Sequence, residues 1–372
     1  MELNSSDSLC NETIAWIWLS SLHPPFLALV SILGVVGNIL VLCVFCLQQK
    51  PCSVADVYLG NLAAADLIMV LCLPFWTVTI AQGYQWNFGQ LLCKLVNTAI
   101  SMNYYCSMLF LVLVSVDRYL ALAKPMKPSK LRRPDWAKRV CLVIWAVGFL
   151  LSLPTLLFRK VHFFSYFEVE ACYLDYPHPA WELQWNITTN VIGLLVPLPI
   201  ISFCTYHMVR ALKNSGVVIQ PRVQTERKAT QLVLTVLAVF LFCWMPFQLV
   251  RFLGSLGYFQ LLPGCLWEHI LDISVQLASY LGYSNSSINP FLYVIVGSHF
   301  RKRARGVCRS LLCPRLKDKT FALTNVTVIS KCSDSRKGSQ DRITALDLRS
   351  VCVNIPHVSS GVSLCNNENT NF

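Results

Sequence analysis

Long apolar runs separated by short polar segments set the pattern of this chain. Seven runs stand out, at about 25–47, 57–81, 91–122, 138–158, 185–211, 229–256 and 268–297. Each is long enough to cross a bilayer as a helix, which takes about 20 residues. Pro74, Pro154, Pro197, Pro246 and Pro290 fall inside them. Membrane helices tolerate proline because neighbouring groups satisfy the freed carbonyls, and each proline is a point where the helix can bend. Beyond the seventh run, Phe300, Ala304, Val307 and Leu311 recur at 4-3-4 spacing among basic residues. That predicts an amphipathic helix on the inner membrane surface at 298–313. The fold class is therefore an all-α membrane protein, a seven-transmembrane helix bundle with a short amphipathic eighth helix. Residues 1–24 read as an extracellular N-terminus, and the Ser-, Thr- and Asn-rich stretch 314–372 as a disordered cytoplasmic tail. The opening MELNSSDSLCNET has neither the basic start nor the short apolar core of a cleaved signal, so the first span is expected to direct insertion.

Composition supports the membrane class. Hydrophobic residues make up 55% and charged residues 13%, against roughly 25% charged in a soluble domain. The net charge of +12 does not signal nucleic acid, because the basic residues are not spread over one soluble face. They gather at 123–139, at 225–228 and at 301–309, as they do where Lys and Arg are retained in the cytoplasm. Glu2, Asp7 and Glu12 lie before the first span, and Glu168, Glu170, Asp175 and Glu182 lie between the fourth and fifth. The N-terminus is thus expected outside and the C-terminus inside. Of 17 cysteines, Cys10, Cys93, Cys172 and Cys265 fall in outer segments, where four thiols allow three pairings. Asn4 and Asn11 begin outer glycosylation sequons; Asn186 begins another at the mouth of the fifth span. Cys308 and Cys313 are placed for palmitoylation.

Ionisable groups inside membrane spans mark function by default. Asp66 sits mid-span, with Asn38, Ser107, Asn285 and Asn289 at comparable depth. A carboxylate among hydroxyl and amide oxygens suits a small cation or a water-filled polar cluster. Asp117 and Arg118 lie at the inner end of the third span. Either Arg118 snorkels to headgroups, or it needs carboxylate partners, for which Asp117 and Glu226 stand at the same level. A charge pair that breaks at one end of a bundle is an ingredient of a two-state switch.

The motifs DRY (117–119), CWMPF (243–247) and NPFLY (289–293) follow in order, with GN at 37–38, NLAAADL at 61–67, Trp145, Pro197 and Cys93. Together they resemble a rhodopsin-like (class A) G-protein-coupled receptor. VYLGNLAAADLI, LPFW, NTAISMNYY, QTERKAT and YSNSSINPFLYVIVG are similar to the kinin (bradykinin) receptor family, nearer the type-2 than the type-1 subtype. The resemblance implies that Trp244 is the aromatic beneath the ligand, and that Asn289, Pro290 and Tyr293 rearrange near Arg118 and Tyr119. It implies sodium, as an allosteric modulator, at Asp66, Ser107, Asn285 and Asn289. Thr205 stands where many relatives carry Tyr, which removes one partner for Tyr293. The expected disulfides are Cys93–Cys172 and Cys10–Cys265.

The expected ligand is a basic kinin-type peptide. An acidic outer face steers cations, and the third span has no Asp at pocket level of the kind that anchors small amines. Asp272 and Glu268 share a helix face at the mouth of the seventh span. Asp272 is expected to hold a peptide guanidinium. Arg159, Ser101, Arg251, Trp244 and Gln248 complete the ligand-facing candidates. Ser101 stands where type-1 receptors have Lys, which favours a full-length peptide. Gly254 replaces a family acid, and Arg251 either binds the peptide's C-terminal carboxylate or pairs with Glu268. Expected partners are a heterotrimeric G protein of the Gq class signalling through phospholipase C and calcium, arrestin and receptor kinases on the tail, and the plasma-membrane bilayer. Alternatives are an angiotensin- or chemokine-like peptide receptor and, in another class, a transporter or channel. No catalytic constellation points to an enzyme.

Overall fold

A computed structural model describes residues 14–48, 52–123, 133–165, 168–178, 180–214, 221–259, 261 and 265–312. Helices α1 (Ile14–Leu47), α2 (Val54–Ala81), α3 (Gly89–Ala123) and α4 (Pro134–Phe158) lead into a hairpin of β1 (Arg159–Phe164) and β2 (Val169–Leu174). Then come α5 (Ala180–Asn190), a π-helical turn (Val191–Leu195), α6 (Pro197–Asn214), α7 (Pro221–Tyr258), α8 (Cys265–Ile295) and α9 (Ser298–Leu312). Among the described residues, six segments are long and apolar enough to cross a membrane: most of α1, α2, α3, α4, the joined α5–α6, and most of α7. The seventh, α8, has the length but carries a polar run of Ser284, Asn285, Ser286, Ser287 and Asn289.

The bundle is apolar outside, and its largely apolar interior also holds the buried polar groups. Phe242 is 71% exposed, whereas Asp66 and Asn38 are fully buried. That placement suits lipid as solvent, since only the interior can offer polar partners. The prolines show how it works. Pro74 has no N–H for the Val70 carbonyl, and Ser31 of α1 donates to it instead at 2.8 Å. Pro290 likewise frees the Ser286 carbonyl, which accepts from Asn38 Nδ2 at 2.9 Å. Helix α1 thus supplies both replacement donors, to α2 and to α8.

Three features depart from the sequence expectations. Helix α1 begins at Ile14 and runs through Pro24 and Pro25, rather than starting at about residue 25. The fifth span is not one regular helix. Pro197 has no N–H to offer the Gly193 carbonyl, and the chain takes up an extra residue, with Val196 N–H bonded to Val191 O at 3.0 Å. The segment after α4 is a hairpin, with Val161 opposite Cys172. Neighbours bond it on both sides. Gln90 of α3 accepts from Val161 N at 2.8 Å and donates to Arg159 O at 2.9 Å. Trp86 N–H donates to Glu170 O at 2.7 Å. Cys172 is disulfide-bonded to Cys93 at the start of α3.

At the opposite end, Arg301 of α9 donates to the last carbonyls of α8, Val294 O at 2.8 Å and Ile295 O at 2.5 Å. A cation at a helix C-terminus satisfies free carbonyls and complements the dipole. Phe300 and Val307 of the predicted apolar stripe are buried, and Phe300 packs on Phe45 and Tyr293. Asn4, Asn11, Cys10, Cys313 and the tail from 314 lie outside the described residues, as do the side chains of Cys265, Cys308 and Leu311. Asn186 is only 4% exposed within α5, which leaves no room for a glycan in this conformation.

Candidate functional site

The end of the bundle that carries the hairpin holds a cavity of about 300 Å³. Ser101, Arg159, Trp244 and Arg251 line it, together with Tyr104, Trp185, Phe247, Gln276 and Tyr283. Three other sequence-expected residues stand differently. Gln248 is buried and donates to the Tyr104 hydroxyl, which in turn donates to Thr189 O at 3.3 Å. It therefore orients a wall residue. The π-helical turn brings Gly193 against the Tyr104 hydroxyl and Gln248, where any Cβ would collide. Asp272 is exposed, one turn beyond Val275 and Gln276 on the helix stripe that lines the cavity. Glu268 is a further turn out along α8, and its side chain lies outside the described residues.

Trp244 forms the floor. Its ring meets Tyr104 at 4.7 Å, Phe247 at 5.7 Å and Phe240 at 6.1 Å between centroids. Gly282 of α8 faces it; a Cβ there would come within 3.0 Å of the indole. Among the described residues the indole N–H has no hydrogen-bond partner.

Below the floor lies the buried carboxylate. Asp66 Oδ1 accepts from Ser286 Oγ at 2.8 Å, Asn103 Nδ2 at 3.1 Å and Ser107 Oγ at 3.4 Å. Its Oδ2 accepts from Asn289 Nδ2 at 2.8 Å. One carboxylate thus ties α2 to α3 and α8, and Asn38 brings in α1. The sequence reading had Asn285 in this set; the structure puts Asn103 and Ser286 on the carboxylate instead. Both were signalled by spacing, since Asn103 is one turn from Ser107 and Ser286 one turn from Asn289. Asn285 Oδ1 and Asn289 Oδ1 are buried without a hydrogen-bond partner. A carboxylate, two hydroxyls and two spare amide oxygens are hard donors that fit a small cation. The described residues hold no cluster of three or more His, Cys, Asp or Glu suited to a metal.

At the α9 end a second cavity, of about 350 Å³, is lined by Asp117, Arg118, Lys228, Tyr293, Phe300 and Arg303, among others. Arg118 does not snorkel. Its side chain is 13% exposed and bonds Asp117 Oδ2 through Nε at 3.0 Å and Nη2 at 2.5 Å. Tyr119 faces the other way, with its ring against Phe203 and His207 of α6. Glu226 lies in the second turn of α7, and its side chain is outside the described residues. The Tyr293 hydroxyl is buried without a hydrogen-bond partner. Arg303 of α9 pairs with Asp56 at the start of α2, at 2.6 Å.

The family described as 7 transmembrane receptor (rhodopsin family) matches residues 37–293. The B2 bradykinin receptor of Cavia porcellus is 48% identical over 310 residues, covering 82% of this chain and 83% of that protein. The human B2 bradykinin receptor is 47% identical over 315 residues, covering 83% and 80%. The human B1 bradykinin receptor is 39% identical over 295 residues, covering 79% and 84%. This chain belongs to the rhodopsin family of receptors, in its bradykinin receptor branch. It is more like these B2 receptors than this B1 receptor. Bradykinin receptors are multi-pass plasma-membrane proteins and not enzymes. In this receptor the Asp66 cluster bonds α2 to α3 and α8, two helices that also line one or both cavities. Asn289, which bonds Asp66, is one turn from Tyr293 in the lining of the second cavity.

Proposed function

We propose that the chain is a plasma-membrane receptor for a kinin-type basic peptide, bound at the hairpin end, and that the α9 end activates a heterotrimeric G protein of the Gq class. In this reading the hairpin end faces outside and α9 the cytoplasm. The observation that carries it is the pairing of Arg118 with Asp117 at the edge of a cavity opposite the aromatic-floored pocket. Ligand binding against Trp244 favours a state in which that pair opens and Arg118 meets the G protein. The similarity to B2 bradykinin receptors supports the peptide class, and Asp272 on the rim offers a guanidinium partner. Sodium is the proposed modulator, with Asp66, Ser107 and the spare oxygens of Asn285 and Asn289 as its holders; it would favour the resting arrangement. Arrestin and receptor kinases are the proposed partners of the tail.

The test is calcium release in cells expressing the receptor and challenged with kinin peptides. A potent, receptor-dependent response is expected. Asp272→Asn should lower the potency of a peptide starting with Arg at least about tenfold, the low end for a lost charge pair. No change in potency removes Asp272 from the site. No calcium response to any kinin, at confirmed surface expression, overturns the proposed coupling.

A further inference from the structure

The free cysteines among the described residues divide by depth. Cys106, Cys141, Cys204 and Cys243 are buried, Cys52 and Cys72 are half-buried, and Cys43 and Cys46 are exposed. A buried thiol packs as a small apolar residue; an exposed pair at the end of a membrane helix asks for another account. Cys43 and Cys46 stand three residues apart near the end of α1, which closes at Leu47, and so share a helix face. Val36, Ile39, Leu40 and Leu47 on that side are exposed too, whereas Val41 and Val44 are buried in the bundle. The two thiols therefore lie on an apolar lane that faces lipid. The position of the membrane edge follows from what surrounds the end of α1. Phe45 packs edge-on against Phe300 of α9, with ring centroids 6.0 Å apart. Past Leu47 the chain turns back, Ser53 caps α2, and Asp56 pairs with Arg303 of α9. A helix cap and an ion pair belong at the level of water and headgroups, and Cys46 is one residue from the end of the neighbouring helix. Cys52, the other thiol at this corner, is engaged: Gln48 Nε2 donates to its sulfur at 2.9 Å, and the thiol donates to Phe45 O at 3.9 Å.

We propose that Cys46 is a fatty-acylation site, which takes a long-chain acyl group as a thioester from an acyl-coenzyme A donor. The inference rests on the orientation in the reading above, with α9 on the cytoplasmic side, where that donor is found. The Cys46 thiol gives up its proton, and its sulfur attacks the carbonyl carbon of the donor thioester. A bond forms from that carbon to Cys46 Sγ, the bond to the coenzyme A sulfur breaks, and the proton ends on the coenzyme A thiol. Depth separates the two exposed cysteines. Cys43 lies about 4.5 Å further into the hydrocarbon, at 1.5 Å of rise per residue, away from a water-soluble donor. Cys46 is juxtamembrane, as reversible S-acylation requires. The lane also fits the product. From Cys46 back to Val36 is about 15 Å of helix, half of the roughly 30 Å hydrocarbon core and so the reach of one acyl chain in one leaflet. The chain lies along α1 over Leu40, Ile39 and Val36, and covers the corner where Phe45 meets Phe300. This anchor is separate from the tail cysteines Cys308 and Cys313, because it holds α1 rather than α9.

The experiment is acyl exchange on full-length receptor from mammalian cells. Free thiols are blocked, thioesters are cleaved with hydroxylamine, and each released thiol is tagged with a polyethylene glycol maleimide that shifts the band on a gel. To remove the tail from the count, Cys308, Cys313, Cys332, Cys352 and Cys365 are all replaced by Ala. This receptor should still show a single shifted band that depends on hydroxylamine. Adding Cys46→Ala should abolish the band, whereas adding Cys43→Ala or Cys52→Ala should keep it. Cys46 faces lipid and packs against no core residue, so Cys46→Ala should reach the surface at the level of its parent. No hydroxylamine-dependent band in the tail-replaced receptor overturns the proposal. A band that survives Cys46→Ala, or that goes with Cys43→Ala or Cys52→Ala instead, overturns the assignment to Cys46. The readout needs no agonist, so any of these results leaves the peptide reading standing. Orientation is read separately, from an epitope tag after Phe372 that antibody should reach only in permeabilised cells. A tag reached on intact cells refutes the orientation, and this site with it.

Discussion

The two cavities have similar volumes, about 300 Å³ at the hairpin end (the outer one in the proposed reading) and 350 Å³ at the α9 end (the inner one), and both carry arginines. They differ in where the countercharge is. Inside, Arg118 is bonded to Asp117 and Arg303 to Asp56, so these charges are matched within the chain. Outside, Arg159 and Arg251 have no carboxylate among the described residues lining the pocket. In the proposed reading a ligand completes the hairpin-end cavity, and a partner at the α9 end replaces the ion pairs there. That asymmetry would give the molecule direction: binding satisfies charges at one end, and activation unsatisfies them at the other.

The largest effect should come from breaking the inner end. Arg118→Gln should lower agonist-stimulated nucleotide exchange on the G protein roughly thirtyfold or more, because it removes the charge that meets the G protein once the pair opens, matching the ~2 kcal/mol low end for truncating a buried interfacial charge. Peptide binding should be unchanged. Purified receptor and G protein in nanodiscs give both readouts. Undiminished exchange would mean the Arg118–Asp117 pair is no latch, and the contrast between the two ends would lose its meaning.

The next effect probes what joins the ends. Asn38→Ala removes the donor to the Ser286 carbonyl that Pro290 leaves free. A buried carbonyl without a partner should cost about 1–3 kcal/mol, read as a lower midpoint in thermal unfolding of the detergent-solubilised receptor. Ser31→Ala, which frees the Val70 carbonyl, should cost a similar amount. A neutral result for both would mean that water takes over these carbonyls.

Much of this was legible in the sequence, and the exceptions share a cause. Apolar run length gave the spans, because crossing a bilayer is a one-dimensional constraint. The 4-3-4 stripe gave α9, and the mid-span Asp66 and the Asp117–Arg118 dipeptide announced buried polar chemistry. The hairpin was missed because its registry depends on Gln90, Trp86 and the disulfide, which lie elsewhere in the chain. The π-helical turn was missed because Pro197 signals a break without saying how it is absorbed. Asn285 and Ser286 are adjacent, and only the packing of α8 against α2 decides which reaches Asp66. The acidic rim drew attention to Asp272; Arg159 and Arg251, also named from the sequence, are the charges that line the hairpin-end cavity.

Asp66→Asn sharpens the comparison at a smaller scale. If sodium links the ends, agonist affinity in the wild-type receptor should fall about fivefold between low and high sodium, the low end for allosteric coupling. The variant should show no such dependence when a bulky organic cation is exchanged for sodium at constant ionic strength. A wild-type receptor indifferent to sodium would reduce the Asp66 cluster to a structural knot.

The smallest effect separates two roles carried by one residue. Asp56 Oδ2 accepts from Ser53 N–H at 2.7 Å, Ser53 Oγ accepts from Asp56 N–H at 3.3 Å, and the pair caps α2. Asp56 Oδ1 pairs with Arg303. These side chains are 21% exposed for Arg303 and 11% for Asp56, so water still screens the pair. Arg303→Ala should therefore cost no more than about 1 kcal/mol, because the cap survives it. Asp56→Ala loses pair and cap together, and should cost roughly 1 kcal/mol more. Both variants should raise ligand-free nucleotide exchange slightly, because each removes one of the inner closures. If Arg303→Ala destabilises as much as Asp56→Ala, the ion pair holds α9 on its own. If neither raises basal exchange, the inner cavity is kept shut by Arg118 and Asp117 without help from α9.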